Sequence, residues 1–304
     1  MKEMEEIKII KKFYSSSNLP SDDCYSDGNG LLISTDSLSE ETHFLHEWSS
    51  PRDLATKLIE VNVSDIISSG GIPKICLLNL GLSKLSNQKT WINAFSGQLK
   101  KLLKKYKIQL VGGDTYHSPI TNLTLTILGK CKSPILRENG NVGDFLYLTG
   151  EIGGSVLGLE ILKKKKTPSP GIETLAVKRH LRPVSRMDLF PGIARKYKIS
   201  SAMDITDGLI QDSLKLAKAS SLRLIIDLDR VPIWKKKKSK ISIQKAIQSG
   251  EELEILFLSP EAILEKGITR IGRAVRGKGV WDISEEINFS NLDPGFLHFE
   301  SKTD

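Results

Sequence analysis

The hydrophobic residues of this chain are spaced in two different ways, and segments with the one spacing alternate with segments with the other along the whole sequence. Segments in which every second residue is apolar predict strands, and segments with apolar residues every three or four positions predict helices. The segment "TNLTLTILG" (121–129) alternates clearly and predicts a half-buried strand. The other strands predicted are "LLIST" (31–35), "IQLV" (108–111), "FLYLTG" (145–150), "SAMDI" (201–205) and "LRLIIDLD" (222–229).

A long helix is predicted at residues 49–71. It has a serine before Pro51, where a helix commonly begins, and it ends in a pair of glycines. On this helix Asp65 and Ser69 stand three and seven positions after Asn62, so the three residues share one polar face. Because strands and helices are interspersed along the chain, the pattern predicts a mixed α/β or α+β architecture.

Three more helices are predicted, at residues 90–106, 153–166 and 206–220. The last of them is expected to be capped by Thr206. The first carries one apolar stripe made of Trp91, Phe95, Leu99, Leu102 and Leu103. Proline, glycine and charged residues cluster in "CKSPILRENGNVGD" (131–144), and this cluster predicts a domain boundary. We therefore expect an N-terminal domain at 1–133 and a C-terminal domain at 134–304.

Composition narrows the class of protein. A chain of 304 residues with 39% apolar content is long enough for two domains with real cores. The longest uncharged apolar stretch, "ICLLNLGL" (75–82), is too short to span a bilayer, and we expect a soluble cytoplasmic protein. The three cysteines are widely spaced without a C-x-x-C pair, which argues against a disulfide framework and a thiolate zinc site.

The positive charge is concentrated in two short blocks. The formal net charge is +8, and the sequences "KKKK" at 163–166 and at 235–238 contain eight of the lysines. Both blocks have the surroundings of solvated loops or helix ends. No aromatic residues are interleaved with them, as a single-stranded nucleic-acid platform would need, so a nucleic-acid partner is not favoured.

Six aspartates stand at predicted strand or helix ends or in turns. For each alone, a turn or cap role is the ordinary explanation. If several converge, two carboxylates about 4 Å apart repel each other by roughly 4 kcal/mol, and a cation must lie among them. Oxygen ligands and phosphate-bearing substrates are typical of Mg²⁺ sites. The six residues are Asp23, Asp36, Asp65, Asp114, Asp204 and Asp207.

Several motifs together resemble those of the thiamine-monophosphate kinase family, within the aminoimidazole ribonucleotide synthetase and selenophosphate synthetase superfamily. They occur in the family's order over about residues 20 to 260. The motifs are "ISTDSLSEETHF", "VNVSDIISSGG", "QLVGGDT", "KRHLRP", "MDITDGLIQD" and "SGEELEI". The resemblance implies an α+β fold of two domains, an N-terminal mixed sheet with helices and a C-terminal α/β domain. It also implies a homodimer joined through the N-terminal sheets, with ATP held between the two domains.

Roles for individual residues follow from the resemblance. Oxygen atoms for Mg²⁺ would come from Asp23, Thr35, Asp36, Asp65, Asp114, Asp204 and Asp207. ATP would contact Gly113, Asp114, Arg137 and Thr206. Thiamine monophosphate would contact His43, Glu251 and Phe296. The expected reaction is direct in-line transfer of the γ-phosphoryl group of ATP to thiamine monophosphate, without a protein nucleophile.

The chain also departs from the family pattern. The segment that contains the paired aspartates, "NLPSDD", lacks the glycines that the family has before them. In "SGEELE", the family's glycine, aspartate and aromatic residue are replaced by Ser249, Glu252 and Leu253. Two alternatives therefore stay open beside the kinase. One is another ATP-using enzyme of the superfamily, and the other is a non-catalytic nucleotide-binding regulatory protein.

Overall fold

The computed structural model describes residues 5–13 and 22–289. Two sheets follow one another along the chain, and helices pack against each. The strands of the first sheet are β1 (Tyr25–Ser26), β2 (Leu31–Ser39), β3 (Ile72–Leu82), β4 (Gln109–His117) and β5 (Asn122–Lys130). The helices of this half are α1 (Glu5–Lys11), α2 (Pro51–Ser68) and α3 (Lys89–Tyr106).

The first sheet has the strand order β1-β2-β5-β3-β4, and only the pair β3 and β4 is parallel. Strand β5 alternates as predicted, since its inward side chains, Leu123, Leu125 and Ile127, are fully buried. They belong to one core with α2 and with the predicted stripe of α3, all of which is buried. Periodicity alone was therefore sufficient to predict these two elements.

Helix α2 begins where the sequence predicts. The Ser50 side chain accepts a hydrogen bond from the Asp53 N–H, and the Asp53 carboxylate accepts one from the Ser50 N–H, with Pro51 between them. Every residue from Asp53 to Ser68 is buried. The first sheet covers one side of α2, and elements of the second half cover the other. The polar residues of α2 consequently lie inside the protein, where the two halves meet.

Two strands run further than predicted. Asp36 was expected to follow its strand, but β2 continues through it to Ser39 because its pairing with β5 continues. Strand β4 likewise does not stop at the two glycines, since Gly113 and Asp114 are still paired with β3. Gly113 has φ +149°, and a Cβ there would lie 1.8 Å from the carbonyl oxygen of Leu78. Only glycine fits at this position of the strand pair.

The second sheet has six strands in the order β11-β8-β10-β6-β9-β7. These strands are β6 (Phe145–Thr149), β7 (Ser201–Asp204), β8 (Arg223–Ile226), β9 (Ile255–Ser259), β10 (Ile268–Val275) and β11 (Gly279–Asp282). The helices of this half are α4 (Gly154–Lys163), α5 (Ile172–Leu181), α6 (Phe190–Lys196), α7 (Leu209–Ala219), α8 (Lys236–Ser239) and α9 (Ile243–Ile247).

The two faces of the second sheet belong to different cores. Tyr147 and Phe257 pack into the core that contains α2 and α3, whereas Leu146 and Leu256 pack into a core of the second half alone. The sheets are thus joined through shared apolar packing. The predicted domain boundary between residues 133 and 134 remains a prediction.

Two smaller predictions are also answered. The lysines at 163–166 and 235–238 are exposed, as expected of solvated segments. The cap predicted for Thr206 is wrong: α7 begins at Leu209, and the carboxylate of Asp212 accepts hydrogen bonds from the three N–H groups of residues 206–208. Among the described ranges, no helix is long and apolar enough to cross a membrane.

Candidate active site

Three carboxylates converge where the two halves meet. Asp23 precedes β1, Asp65 lies on α2, and Asp204 is the last residue of β7. One oxygen atom from each lies within 4.8 Å of the others. Asp65 and Asp204 are buried and Asp23 is half-buried. The fold therefore places Asp204 beside two residues that precede it by more than a hundred positions in the sequence.

Local contacts fix Asp65 in this cluster. The Ser34 hydroxyl of β2 donates a hydrogen bond of 2.5 Å to the Asp65 carboxylate. The Cys24 thiol donates to the Asp65 carbonyl oxygen at 3.3 Å. Asp36 is on the same face of β2 as Ser34, and its N–H donates to the Asn62 side chain of α2 at 3.1 Å. The polar face predicted for α2 thus contacts β2 beside the cluster.

The electrostatics of the cluster favour a bound cation. Burial, followed by the charges of Asp36, Asp204 and Asp23, raises the pKa of Asp65 well above its usual range. Burial and then Asp23 likewise raise the pKa of Asp204. Within the described part of the chain, Asp204 Oδ2 is buried and has no hydrogen-bond partner. An oxygen atom in that situation is suited to a hard divalent cation.

Arg137 lies beside the cluster in the short 3₁₀ helix Arg137–Asn139. Its guanidinium forms an ion pair with Asp23, and its N–H donates to the Asp22 carboxylate at 2.6 Å. Its carbonyl oxygen accepts hydrogen bonds from Ser201 at 2.8 Å and Ser220 at 2.5 Å. A cationic side chain held this firmly next to three carboxylates is suited to a phosphate ligand.

Two of the predicted metal ligands do not reach the cluster within one chain. The Thr35 hydroxyl is on the opposite face of β2 from Ser34 and lies 3.1 Å from the Thr126 hydroxyl. Asp114 is exposed on β4, and its N–H donates to the Asn79 side chain at 2.9 Å. Strands β5 and β3 separate β4 from β2. Asp114 and Asp36 are therefore about 14 Å apart across the sheet, three strand spacings.

The turn after β7 contains Thr206, a predicted ATP contact, and Asp207, a predicted metal ligand. Asp207 forms an ion pair of 2.5 Å with Lys215, which also contacts Asp212 at 2.8 Å. The Thr206 N–H donates to the Asp212 carboxylate, and the Thr206 carbonyl accepts from the Glu251 N–H at 2.8 Å. Asp207 is thus outside the three-carboxylate cluster and already has a cationic partner.

A second polar group surrounds the predicted acceptor residues. Lys57 of α2 is buried, and its Nζ lies 2.6 Å from a carboxylate oxygen of Glu251 and 3.4 Å from the carbonyl oxygen of His43. The imidazole of His180 lies 3.6 Å from Glu251 and 3.0 Å from the Ser155 hydroxyl. Burial would raise the pKa of Glu251, but Lys57 and His180 lower it overall. His43 and Glu251 are thus brought together through Lys57, while Phe296 lies outside the described residues.

Comparisons with known proteins decide the family. Residues 21–131 match the family model of the AIR synthase related protein, N-terminal domain, and residues 141–280 match that of its C-terminal domain. The thiamine-monophosphate kinase of Leptospira interrogans serogroup Icterohaemorrhagiae serovar Lai is 42% identical over 97% of this chain and 98% of its own length. The chain belongs to the thiamine-monophosphate kinase family. The resemblance stated from the motifs is thereby confirmed, as is the two-domain α+β fold.

Solved structures of the thiamine-monophosphate kinase family have the same fold. A structure described as AaThiL complexed with AMPPCP and TMP has a TM-score of 0.85 and 31% identity, covering 93% of this chain and 94% of that one. The thiamine monophosphate kinase from Aquifex aeolicus has a TM-score of 0.84 and 30% identity, covering 93% and 96%. The described residues therefore superpose on this family along nearly their whole length.

The segment "SGEELE" (249–254), which departs from the family pattern, lies inside the protein. Ser249, Glu252 and Leu253 are all buried. One Glu252 oxygen accepts from the Ser249 hydroxyl and from the N–H groups of Gly153 and Ser155, and the other forms an ion pair of 2.6 Å with Arg179. These substitutions form an internal hydrogen-bond network. These substitutions therefore do not indicate that the acceptor site has been lost.

Several residues of the site were not singled out from the sequence. Lys57 and His180 are the most important, because both contact Glu251. A lysine in a helix is usually exposed, so the sequence gives no signal that Lys57 is buried. The motif "KRHLRP" did give a family signal. It contains His180 as well as Arg182, which forms an ion pair with Asp53 of α2 and so links the two halves.

Proposed function

We propose that this protein transfers the γ-phosphoryl group of ATP to thiamine monophosphate, producing thiamine diphosphate and ADP. One observation carries the proposal: Asp23, Asp65 and Asp204 converge at the meeting of the two halves, beside Arg137. Phosphoryl transfer requires mainly alignment and neutralisation of charge, and this arrangement is suited to both. Family membership, shown by the Leptospira relative, supports the same reaction.

Magnesium is the cation that fits the cluster best. The three ligands are carboxylates, and the buried Oδ2 of Asp204 has no hydrogen-bond partner within residues 22–289. The residues that would hold Mg²⁺ are Asp23, Asp65 and Asp204, with Asp36 adjoining them. When bound, Mg²⁺ neutralises the negative charge of the phosphate groups. A further ion at Asp207 would have to displace Lys215 from its ion pair.

The acceptor is proposed to bind beside His43, Lys57 and Glu251. Thiamine monophosphate has a cationic thiazolium ring and an anionic phosphate, and this group of residues offers a carboxylate and an ammonium. The acceptor phosphate has a second pKa of about 6 and is mostly dianionic at pH 7, so it needs no general base. One of its oxygens forms the new bond to the γ-phosphorus. The bond from that phosphorus to the β–γ bridging oxygen breaks, and ADP leaves with the electron pair.

We also propose a homodimer in which Asp114 acts on the site of the other chain. The separation of Asp114 from Asp36 supports this arrangement, because no side chain spans three strand spacings. Strand β4 is an edge strand whose residues are all exposed. Four large apolar side chains are exposed on it and on β3, namely Leu77, Leu110, Val111 and Tyr116. An exposed, apolar edge strand is typical of a surface that a second copy covers.

The proposal is tested by incubating the protein with ATP, Mg²⁺ and thiamine monophosphate and separating the products by chromatography. Thiamine diphosphate and ADP should form in equal amounts and should both disappear in EDTA. Unphosphorylated thiamine is the matched control acceptor and should give no product. ADP without thiamine diphosphate would indicate another acceptor, and ATP binding without turnover would indicate a regulatory protein. The cytoplasm, where ATP is available, remains the location we propose.

A further inference from the structure

A small pocket on the second sheet is lined by three arginines. It lies on β8 and β10, and β6 and β9 separate β10 from the strand that carries Asp204. Arg270 and Arg273 come from β10, and Arg230 comes from the 3₁₀ helix Leu228–Arg230 that follows β8. The pocket has a volume of about 110 Å³ and is open to solvent. It is thus distinct from the carboxylate cluster.

Two strands approach each other closely at the base of the pocket. Gly272 and Ile225 line the pocket between the arginines. A Cβ at Gly272 would lie 2.0 Å from the carbonyl oxygen of Ile225, so no side chain is accommodated there. Arg270 is oriented by Phe145, because its guanidinium carbon lies 3.9 Å from the centre of that ring. A guanidinium stacked in this way still presents its N–H groups at its edge.

The charge of the pocket is not balanced by the carboxylates of residues 22–289. None of the three guanidinium groups forms an ion pair with a carboxylate of residues 22–289, whereas the nearby Arg223 is paired with Glu285. Asp227 is the acidic residue of the lining, and its carboxylate accepts the Asp229 N–H. Three cations and one anion leave two positive charges, which is the charge that a dianion would neutralise.

We propose that this pocket binds a phosphate or diphosphate group. Arginine is the side chain best matched to such groups, because its planar N–H donors bind two phosphate oxygens at once. All three arginines are exposed, so an anion reaches their N–H donors directly from solution. The group is either a free anion or the terminal phosphate of a larger molecule.

The test is a calorimetric titration of the full chain with phosphate and with pyrophosphate, at constant ionic strength in EDTA. Chelation removes the divalent cation that would bridge these anions to the carboxylate cluster. We expect one anion per chain with a Kd below about 1 mM. Changing both Arg270→Gln and Arg273→Gln should weaken binding by about 10- to 100-fold, because two charge-assisted contacts are lost.

Two further variants make the result specific. Arg195→Gln changes an exposed arginine outside the pocket and should leave the affinity unchanged. Asp227→Asn removes the negative charge of the lining and should tighten binding by a few-fold. Absence of binding by wild type, or an affinity that the double variant does not change, would overturn the proposal. Circular dichroism and Tm establish that the variants are folded.

Parallel titrations with ADP and thiamine diphosphate separate the possible sources of the group. Tighter binding of one of them than of pyrophosphate, lost in the double variant, identifies an attached phosphate. Equal or weaker binding identifies the free anion. Both results support the pocket, and they differ only in what occupies it.

Discussion

The carboxylates of Asp65 and Asp204 face each other across the meeting of the two halves of the protein. Asp65 projects from a helix that packs on the first sheet, and Asp204 ends an edge strand of the second. Together with Asp23 they place three carboxylate oxygens within 4.8 Å of one another. Burial and mutual repulsion make this arrangement unfavourable until a cation or protons neutralise it.

Replacing Asp204 by asparagine should have opposite effects with and without metal. In EDTA at pH 7, Asp204→Asn removes one of three clustered charges and should raise the free energy of unfolding by about 1–3 kcal/mol. In Mg²⁺ the wild-type Tm should rise, whereas the variant should gain little, because a ligand is missing. Thermal unfolding followed by circular dichroism, with increasing Mg²⁺, measures both effects.

The matched control for this experiment is Asp229→Asn, which changes an exposed aspartate outside the cluster. It should leave both the Tm in EDTA and its rise with Mg²⁺ unchanged. An Asp204→Asn protein whose Tm rises with Mg²⁺ as much as that of wild type would remove Asp204 from the metal site.

Mixing two inactive variants tests whether Asp114 acts across a dimer. Asp114→Asn and Asp204→Asn should each abolish transfer. Suppose that each site uses Asp204 of one chain and Asp114 of the other. Random pairing of equal amounts of the two variants gives half heterodimers, and each heterodimer has one site with both aspartates and one site with neither. About a quarter of wild-type activity should then return. The measurement is thiamine diphosphate formation after unfolding and refolding the two variants together, and continued inactivity of the mixture would place both residues in one chain's site.

Lys57 should set the affinity for the acceptor. Lys57→Met leaves Glu251 without its 2.6 Å partner and removes a positive charge from the acceptor site. We expect KM for thiamine monophosphate to rise by about tenfold or more, with a smaller effect on KM for ATP. Steady-state kinetics measure this, and Lys101→Met on the exposed side of α3 is the control. Equal increases in both KM values would show that Lys57 supports the whole site.

His180 should make the protein less stable in mild acid. Burial lowers its pKa to about 4 from 6.5, so the folded state resists a proton that the unfolded chain accepts. Its contribution to stability is complete above pH 6.5 and is lost as the pH falls toward 4. Relative to His180→Gln, wild type should lose about 2 kcal/mol of unfolding free energy between pH 6.5 and 5.

Urea unfolding at several pH values measures this difference. The comparison with His180→Gln is needed because the raised pKa values of Asp65 and Asp204 change stability in the opposite direction over the same range. Parallel curves for wild type and His180→Gln would contradict the prediction.

Local rules were enough for much of the fold. The Ser50 cap with Pro51, the stripe of α3 and the alternation of β5 depend on neighbouring residues and on one buried face, so the sequence predicts them. The ends of β2 and β4 were predicted wrongly, because a strand stops where its pairing stops. That pairing depends on residues far along the chain.

The sequence by itself determined the family, the two-domain fold and the identity of the acidic motifs, since each depends on residue types in a fixed order. Only the tertiary structure decided which of them meet. It brings Asp23, Asp65 and Asp204 together, leaves Asp114 exposed on an edge strand, and buries Lys57 against Glu251. The physical reason is that convergence and burial depend on how two sheets pack around α2, and no local pattern in the sequence contains that information.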